Sequence, residues 1–222
     1  MGIAVSERIG LSRVHFPITA LGPGRRIGIW LQGCSIRCPG CMSRDTWAAA
    51  RKTISVAALL EAIAPCLGDA DGITISGGEP FDQPAALLEL LRGLRSVAGN
   101  LSVLVYSGLA YARLQVRERR VLSLVDVLIS EPFVAAQAVS APLRGSANQR
   151  VVCLTPRGVA LWQRAEADWR ERGRRLDLIA GPDGSVWVAG VPGPGDLDRL
   201  GQRLGAAGIA ALTSAGRLGD LL

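Results

Sequence analysis

Three cysteines lie close together in the first quarter of the sequence. Cys34, Cys38 and Cys41 have the spacing C-x3-C-x2-C and follow an apolar run, Arg26 to Gln32, that predicts a β-strand. In a chain without a secretory signal, clustered thiols are more often metal ligands than disulfide partners. The spacing therefore predicts a metal site at the end of this strand.

The number of thiols indicates the kind of metal site. A structural zinc site uses four ligands, and the sequence offers only His15 and Cys66 as poorly placed candidates for the fourth. An iron-sulfur protein that only carries electrons also needs four cysteines per cluster. Three thiolates leave one iron open, and an open iron can bind a substrate or cofactor directly. Cys66 and Cys153 stand alone in apolar surroundings, where they are expected to be small buried hydrophobic residues.

A second chemical feature follows the next predicted strand, Gly72 to Ser76. Gly77 and Gly78 let backbone groups approach a small ligand closely, and the Glu79 carboxylate can receive an ammonium group. Because ligands bind at the carboxyl ends of parallel strands, we expect this turn and the cysteine loop at one edge of a sheet. Taken alone, the turn is better explained as a tight connection between a strand and a helix.

Strand-like and helix-like segments alternate along most of the chain. The predicted strands are Arg26 to Gln32, Gly72 to Ser76, Leu101 to Tyr106, Asp126 to Ser130 and Arg150 to Leu154. The predicted helices are Val56 to Leu67 with Ser55 as its cap, Pro84 to Ala98, and Leu109 to Leu124. Continuous apolar strands that alternate with helices are typical of a parallel sheet covered on both faces, so the predicted fold class is α/β.

The pattern changes after Pro156. A long polar helix to about Arg172 is followed by two strand-like runs that a turn of Pro182, Asp183 and Gly184 joins. A last helix is predicted over Asp196 to Leu204. This tail carries no cluster of chemical groups, so we interpret it as a capping or partner-facing appendage.

Composition places the chain among ordinary globular proteins. It has 222 residues, 49% of them hydrophobic and 20% charged, which excludes disorder and fits one domain with an appendage. The net charge of +6 comes almost wholly from arginine, since Lys52 is the only lysine. No basic groove with interleaved aromatic residues is present, so a nucleic-acid partner is not expected. The sequence shows neither a membrane span nor a secretory signal, which predicts a soluble, cytoplasmic protein.

Together, the cysteine loop and the turn resemble the radical S-adenosylmethionine (SAM) superfamily over about residues 14 to 154. The resemblance implies that the three cysteines bind a [4Fe-4S] cluster whose open iron chelates SAM, and that Gly77, Gly78 and Glu79 help to hold it. It also implies that residues 1–154 form a partial (βα)6 barrel of the TIM type. Residues 155–222 would then be a C-terminal α+β appendage of helix, hairpin and helix.

A nearer resemblance is to the small activating enzymes, especially the activators of anaerobic ribonucleotide reductase. The segments that carry it are IWLQGCSIRCPGCMSRDTW, YSG at 106–108, ISEPF at 129–133 and RGSANQR at 144–150. The matched positions imply that Ser107 and Ser130 contact SAM. They also imply that Arg144, Asn148 and Gln149 order the site or meet the partner.

The sequence departs from these families at three positions of the cysteine loop. Gly40 precedes the third cysteine, where the superfamily often has a hydrophobic or aromatic residue, although the reductase activators also have glycine there. Met42 and Ser43 stand where activators commonly have histidine and asparagine, so the polar contacts beside the loop stay open.

The function implied by the resemblance is that of an oxidoreductase. It would cleave SAM reductively to a 5′-deoxyadenosyl radical and install a glycyl radical on a protein partner, with a flavodoxin or ferredoxin-like protein as electron donor and no membrane partner. One alternative is radical modification of a peptide or a small metabolite. Another is an iron-sulfur regulatory or electron-transfer subunit that does not turn over SAM, which the absence of 5′-deoxyadenosine would identify.

Overall fold

The computed structural model describes residues 6–181, 185–208, 212–213 and 216–217. Its strands are, in chain order, β1 Arg8–Ile18, β2 Arg26–Leu31, β3 Thr53–Ser55, β4 Gly72–Gly77, β5 Ser102–Tyr106, β6 Val127–Ser130, β7 Ala138–Ala141, β8 Arg144–Ser146, β9 Arg150–Cys153, β10 Leu176–Ala180, β11 Val186–Gly190, β12 Leu212–Thr213 and β13 Gly216–Arg217. Seven of these strands form the main sheet, in the order β3-β1-β2-β4-β5-β6-β9.

The helices connect and cover these strands. They are α1 Val56–Ile63, α2 Pro84–Val97, α3 Tyr111–Arg117, α4 Arg119–Leu122, α5 Pro156–Arg172 and α6 Asp196–Ala206. Short 3-10 helices lie at Arg44–Thr46, Ala64–Asp69, Pro80–Asp82 and Ala135–Gln137. Among the helices of the described segments, none has both the length and the apolar character that crossing a membrane requires.

The centre of the main sheet is parallel and its edges are antiparallel. β2, β4, β5 and β6 are parallel neighbours, whereas β1 and β9 run antiparallel to the strands they join. The predicted α/β class is therefore confirmed. The six βα units implied by the resemblance are not found in the described part of the chain, where this sheet has four parallel strands. A β7-β8 hairpin, and no crossover helix, connects β6 to β9, so the chain returns antiparallel.

Alternate residues of the parallel strands face two separate cores. In β5, Val103 and Val105 belong to the core that contains Leu87 of α2, whereas Leu104 packs in another core with Leu161 of α5. This alternation follows from the two-residue period of a strand. The continuous apolar strands predicted from the sequence are thus buried on both faces, and the first helix of the tail covers one of them.

The β10-β11 hairpin of the tail covers another part of the sheet. Trp187 of β11 packs edge-on against Trp30 of β2, with ring centroids 5.1 Å apart, and Ile179 is buried in the same cluster. The Asp177 carboxylate accepts hydrogen bonds from the backbone N–H and the hydroxyl of Thr19, at 2.7 and 2.8 Å. The tail therefore shares buried cores with the sheet, and a domain boundary at residue 154 stays a prediction.

Buried polar side chains at the amino edge of the parallel strands have hydrogen-bond partners. Arg26, at the start of β2, is fully buried and donates to the Thr74 hydroxyl at 2.7 Å and to backbone carbonyls. Asp126, just before β6, accepts from Arg95 at 2.8 Å and from the Thr155 hydroxyl at 2.6 Å. The polar side chains at this edge are therefore satisfied by contacts within the protein.

The first helix after the cysteine loop is shorter than predicted. The expected helix over 56–67 ends as α1 at Ile63, because Pro65 has no N–H with which to continue the α-helical hydrogen bonds. The chain continues as 3-10 helix to Asp69. The predicted cap is confirmed, since the Ser55 hydroxyl accepts a hydrogen bond from the N–H of Ala58 at 3.2 Å.

Two other predicted segments differ in detail. The single helix expected over 109–124 is divided into α3 and α4 by the non-helical residue Glu118, with φ −123° and ψ 31°. The predicted helix after the hairpin is present as α6 and ends two residues later than expected. The turn predicted at Pro182, Asp183 and Gly184 lies outside the described residues.

Candidate functional site

The predicted site segments lie at one edge of the main sheet. The cysteine loop follows β2, the turn of Gly77, Gly78 and Glu79 ends β4, Ser107 follows β5, and Ser130 ends β6. Because these four strands are parallel neighbours, their carboxyl ends meet. The shared edge that the sequence predicts is therefore present in the structure.

The second and third cysteines are joined by a tight turn. The N–H of Cys41 donates to the carbonyl of Cys38 at 3.0 Å, which closes a four-residue β-turn. Pro39 supplies the fixed φ that favours the first central position, and Gly40 occupies the second with φ +77°, where glycine is strongly preferred. Pro39 and Gly40 therefore favour this turn by their own backbone preferences, whether or not a metal is bound.

Two further contacts fix the start of the cysteine loop. The Ser35 backbone N–H and hydroxyl both donate to the Asp82 carboxylate, at 2.7 and 2.8 Å. The N–H of Cys34 donates to the carbonyl of Trp47 at 3.3 Å. The loop is consequently held between the segment after the Gly77-Gly78-Glu79 turn and the segment that follows the third cysteine.

N–H groups surround two of the thiols. Burial raises the pKa of Cys38, the backbone N–H of Phe133 lowers it in part, and the neighbouring cysteines raise it further. Burial also raises the pKa of Cys41, and the N–H groups of Ser43 and of the Trp47 indole oppose this effect. Such donors stabilise a thiolate, which is the form that binds iron.

The three thiols of the cysteine loop have the chemistry of iron-sulfur ligands. In the described ranges, no three Cys, His, Asp or Glu side chains form a group that could hold one metal ion. In a [4Fe-4S] cluster each thiolate binds a different iron, so its ligands stand around a larger group. Cys34, Cys38 and Cys41 lie in one loop and are partly exposed, with N–H donors next to the last two. This donor set therefore fits the cluster.

The two glycines of the turn are needed for close packing against β2 and the residue that precedes Cys34. Gly77 has φ +99°, and a Cβ there would lie 2.5 Å from the backbone N of Leu31. A Cβ on Gly78 would lie only 1.9 Å from the carbonyl oxygen of Gly33, the same oxygen that accepts a 2.9 Å hydrogen bond from the N–H of Glu79. The sequence analysis explains these glycines by the close approach of a ligand, and that explanation stays a prediction. The structure gives a second reason, which is close packing of the backbone.

Glu79 is a buried carboxylate with an organised set of donors. Its side chain accepts hydrogen bonds from the N–H of Phe81 at 2.9 Å, the Ser107 hydroxyl at 2.9 Å and the N–H of Gly108 at 2.8 Å. The residue is 1% exposed, and this burial raises its pKa to about 7 even though the three donors lower it. A carboxylate has roughly four acceptor positions, so these three donors leave one of them unused; contact of Glu79 with a ligand ammonium group stays a prediction.

The raised pKa of Glu79 predicts a pH-dependent stability. Between the ordinary pKa of 4.5 and about 7 the folded protein binds more protons than the unfolded chain, so the free energy of unfolding falls as pH rises. We expect the cluster-free protein to lose about 3 kcal/mol between pH 4.5 and 8 relative to Glu79→Gln, whose side chain does not titrate. Urea unfolding at several pH values measures this difference, and parallel pH profiles of the two proteins would contradict it.

The two predicted serines have different environments. Ser107 is buried, and its hydroxyl orients Glu79. Ser130 is fully buried, yet its hydroxyl has no hydrogen-bond partner in the parts of the chain that the structure describes. An unsatisfied buried hydroxyl costs about 1–3 kcal/mol, and a bound ligand at this edge would supply the missing partner. Contacts of either serine with SAM stay a prediction.

The predicted Arg144, Asn148 and Gln149 lie in the segment that follows β6. The Asn148 amide donates to the carbonyl of Pro132 at 2.8 Å, and the Gln149 side-chain oxygen accepts from the N–H of Gly145 at 2.8 Å. Arg144 donates to the carbonyl of Gln149 at 3.3 Å. These residues order the segment beside the site, whereas contact with a partner stays a prediction.

Three residues near the cysteine loop were not identified as site residues from the sequence. Asp82 fixes Ser35, the backbone N–H of Phe133 lies near Cys38, and the indole of Trp47 lies near Cys41. Trp47 lies only six residues after Cys41, so its closeness in sequence was an available signal. Phe133 ends the ISEPF segment at 129–133, which carries the resemblance, whereas Asp82 had no such signal.

Similar proteins confirm the resemblance to activators of anaerobic ribonucleotide reductase. The anaerobic ribonucleoside-triphosphate reductase-activating protein of Escherichia coli (strain K12) is 29% identical over 145 residues, which are 62% of this chain and 94% of the relative. The protein of the same name from Vibrio cholerae is 29% identical over 144 residues, 61% of this chain and 92% of the relative. The crystal structure of QueE from Escherichia coli is 23% identical with a TM-score of 0.39, and the match covers 46% of this chain and 53% of the QueE chain.

A family described as a 4Fe-4S single cluster domain matches residues 20–152, which is more than half of the chain. The matched range contains the cysteine loop, the Gly77-Gly78-Glu79 turn and both predicted serines. The predicted [4Fe-4S] cluster agrees with this family and is confirmed. The chain belongs to the 4Fe-4S single cluster domain family.

Proposed function

We propose that this chain is a radical SAM activating enzyme, an oxidoreductase that cleaves SAM reductively and installs a glycyl radical on a protein partner. The observation that carries the proposal is the contact between the three-cysteine loop and the turn that bears a buried carboxylate. This contact runs through Gly33 and Gly78. Three cysteine ligands leave one iron open beside that turn, which suits a cofactor that must bind iron and a carboxylate together.

The proposed reaction needs one electron for each SAM molecule. When bound and reduced, the cluster supplies the electron that breaks the bond between the sulfur and C5′ of SAM, which yields methionine and a 5′-deoxyadenosyl radical. This radical takes a hydrogen atom from the α-carbon of a glycine, so 5′-deoxyadenosine and a glycyl radical are formed. The protein contributes binding, orientation and exclusion of water.

The residues at the carboxyl edge have separate roles in this proposal. Glu79 receives the ammonium group of SAM at its remaining acceptor position, because Ser107 and two backbone N–H groups already fix its orientation. A bound ammonium group stabilises the ionised carboxylate and lowers its raised pKa. Ser130 gains the hydrogen-bond partner that the described residues do not supply.

The open sheet supports a large substrate. The main sheet ends at β3 on one side and at β9 on the other, and we infer that it forms a partial barrel of four parallel strands whose mouth admits a loop of the partner. The relatives from Escherichia coli and Vibrio cholerae are named as activators of an anaerobic ribonucleoside-triphosphate reductase. An anaerobic ribonucleotide reductase that carries the glycyl radical is therefore the proposed partner.

The electron donor is proposed to be a flavodoxin or a ferredoxin-like protein. A cleft of about 360 Å³ opens beside Cys34, and Arg37, Trp47 and Asp82 are among the residues that line it. This cleft gives a route from the surface towards one cluster ligand. Exposed Arg37, Arg51 and Lys52 near this part of the chain favour an acidic donor.

Transfer of deuterium from the partner to 5′-deoxyadenosine tests the proposed function. The anaerobic ribonucleotide reductase encoded in the same genome is prepared with α-deuterated glycine and incubated with SAM and the reduced, cluster-loaded protein. We expect a glycyl radical signal in electron paramagnetic resonance and deuterium in 5′-deoxyadenosine. The matched control is the same reductase without deuterium.

Two outcomes would contradict the proposal in different ways. If deuterium reached 5′-deoxyadenosine from a labelled peptide or metabolite and from no protein, the activating function would be wrong and radical modification of a small substrate would replace it. If no 5′-deoxyadenosine formed with any substrate, the chain would be an iron-sulfur subunit that does not turn over SAM.

A further inference from the structure

Trp47 is held tightly against the cysteine loop. It follows the 3-10 helix Arg44–Thr46, and its backbone N–H donates to the carbonyl of Arg44 at 3.1 Å. Its own carbonyl accepts the N–H of Cys34 at 3.3 Å. The guanidinium group of Arg44 lies over the indole ring, 5.1 Å from its centroid. Backbone and ring contacts therefore fix both the position and the plane of the indole.

The indole N–H has no conventional acceptor. Its nitrogen is buried, and no atom of the described ranges accepts a hydrogen bond from it. Buried indole N–H groups usually have a partner, so this one requires an explanation. The group lies near enough to Cys41 to act on its thiol, and a neutral thiol is only a weak acceptor.

The missing acceptor is explained by the cluster that this family binds. When Cys41 is deprotonated and bound to iron, its sulfur carries negative charge and becomes a much stronger acceptor than the thiol. The backbone N–H groups of Ser43 and Phe133 approach the ligand sulfurs in the same way. Trp47 is the side-chain donor of this set, so a substitution can remove it without changing the backbone.

We propose that the Trp47 indole N–H donates a hydrogen bond to the Cys41 sulfur of the bound cluster and raises the cluster's reduction potential. Trp47 is thus a positioning and tuning residue and not a cluster ligand. The inference rests on the cluster and on family membership, and it does not depend on SAM cleavage or on the identity of the partner.

The direction of the effect follows from charge. Reduction adds one electron, and part of that negative charge resides on the sulfurs. A hydrogen-bond donor stabilises the more negative state more strongly, so it makes reduction easier. Removing the donor must therefore lower the reduction potential.

Trp47→Phe is the test variant, because phenylalanine keeps an aromatic ring for packing and lacks the N–H. At a fixed potential near the wild-type midpoint, we expect the ratio of reduced to oxidised cluster to fall about threefold to tenfold. A tenfold change corresponds to about 59 mV for a one-electron couple. Anaerobic redox titration followed by electron paramagnetic resonance measures this ratio, and iron content confirms that the cluster is retained.

Trp169→Phe is the matched control. Trp169 in α5 also lies under a guanidinium group, that of Arg174, at 5.6 Å from the ring centroid. The control thus removes an indole N–H from a similar cation-π pair in another part of the fold. We expect its reduced-to-oxidised ratio to equal that of the wild type.

A second measurement uses the wild-type protein and does not depend on how well a variant folds. Protein that contains tryptophan labelled with ¹⁵N in the indole is reduced, and pulsed electron paramagnetic resonance is recorded on its cluster. We expect one ¹⁵N coupling, which Trp169→Phe keeps and which Trp47→Phe, when it retains its cluster, loses. If the wild type shows no ¹⁵N coupling, or if Trp47→Phe binds a full cluster with an unchanged redox ratio, the proposal is overturned. These outcomes would leave the proposed SAM chemistry intact.

Discussion

Gly78→Ala is expected to lose most of its iron-sulfur cluster, although Gly78 is 37 residues beyond Cys41, the last cysteine of the loop. A Cβ at this position would lie 1.9 Å from the carbonyl oxygen of Gly33, which directly precedes Cys34. That oxygen belongs to the backbone and also accepts the N–H of Glu79, so it cannot rotate away as a flexible side chain can. The cysteine loop must move, and we expect a destabilisation of about 3 kcal/mol, the upper end of the usual cost of overpacking.

The experiment compares iron content after anaerobic reconstitution. Wild-type protein should hold about four iron atoms per chain, and Gly78→Ala should hold less than half of that amount. Gly68→Ala is the matched control, because a Cβ on Gly68 would meet no atom within 4 Å. Circular dichroism verifies that all three proteins keep their secondary structure. Full iron loading of Gly78→Ala, with control values unchanged, would show that the loop tolerates the clash.

The position of the site was predictable because it depends on strand direction. The cysteine loop and the Gly77-Gly78-Glu79 turn each follow an apolar strand, and the carboxyl ends of neighbouring parallel strands must meet. The same argument places Ser107 and Ser130. The turn between Cys38 and Cys41 was also accessible, since proline followed by glycine favours this geometry locally.

Contacts between distant segments were not predictable in the same way. The fit of Gly78 against Gly33 depends on the distance between two backbone segments. A pair of glycines in the sequence is equally compatible with backbone packing and with the close approach of a ligand. The pairing of Ser35 with Asp82 likewise joins residues 47 apart in the chain. The raised pKa of Glu79 arises from burial that only the folded structure reveals.

The tail shows a different limit of sequence reasoning. The sequence predicts a capping or partner-facing appendage, because the tail carries no cluster of chemical groups. In the structure, Leu161 and Trp187 pack on the sheet and supply the cover that residues 1–154 lack on one face. The packing of the tail against one face of the sheet depends on the folded positions of both, so the sequence pattern alone does not reveal it. The antiparallel return of β9 was accessible from the sequence, since no helix is predicted between Ser130 and Arg150 and a parallel return needs a crossover connection.

The two edges of the parallel strands differ in how well their polar groups are satisfied. At the amino edge, the Arg26 and Asp126 side chains make several hydrogen bonds. At the carboxyl edge, the Ser130 hydroxyl has no hydrogen-bond partner among the described residues. An unsatisfied buried group is costly, and such groups concentrate where a ligand completes the structure. This asymmetry supports the carboxyl edge as the site of the proposed chemistry.

Removing only the three loop thiols shows whether Cys34, Cys38 and Cys41 hold the cluster that drives SAM cleavage. The variant Cys34→Ala, Cys38→Ala, Cys41→Ala is compared with Cys66→Ala, Cys153→Ala, which removes the thiols outside the loop. Both proteins are reconstituted anaerobically, reduced and incubated with SAM, and 5′-deoxyadenosine per chain is measured together with iron. We expect the control to keep about four iron atoms and wild-type product, and the triple variant to lose both. A triple variant that still formed 5′-deoxyadenosine at the wild-type rate would contradict the account.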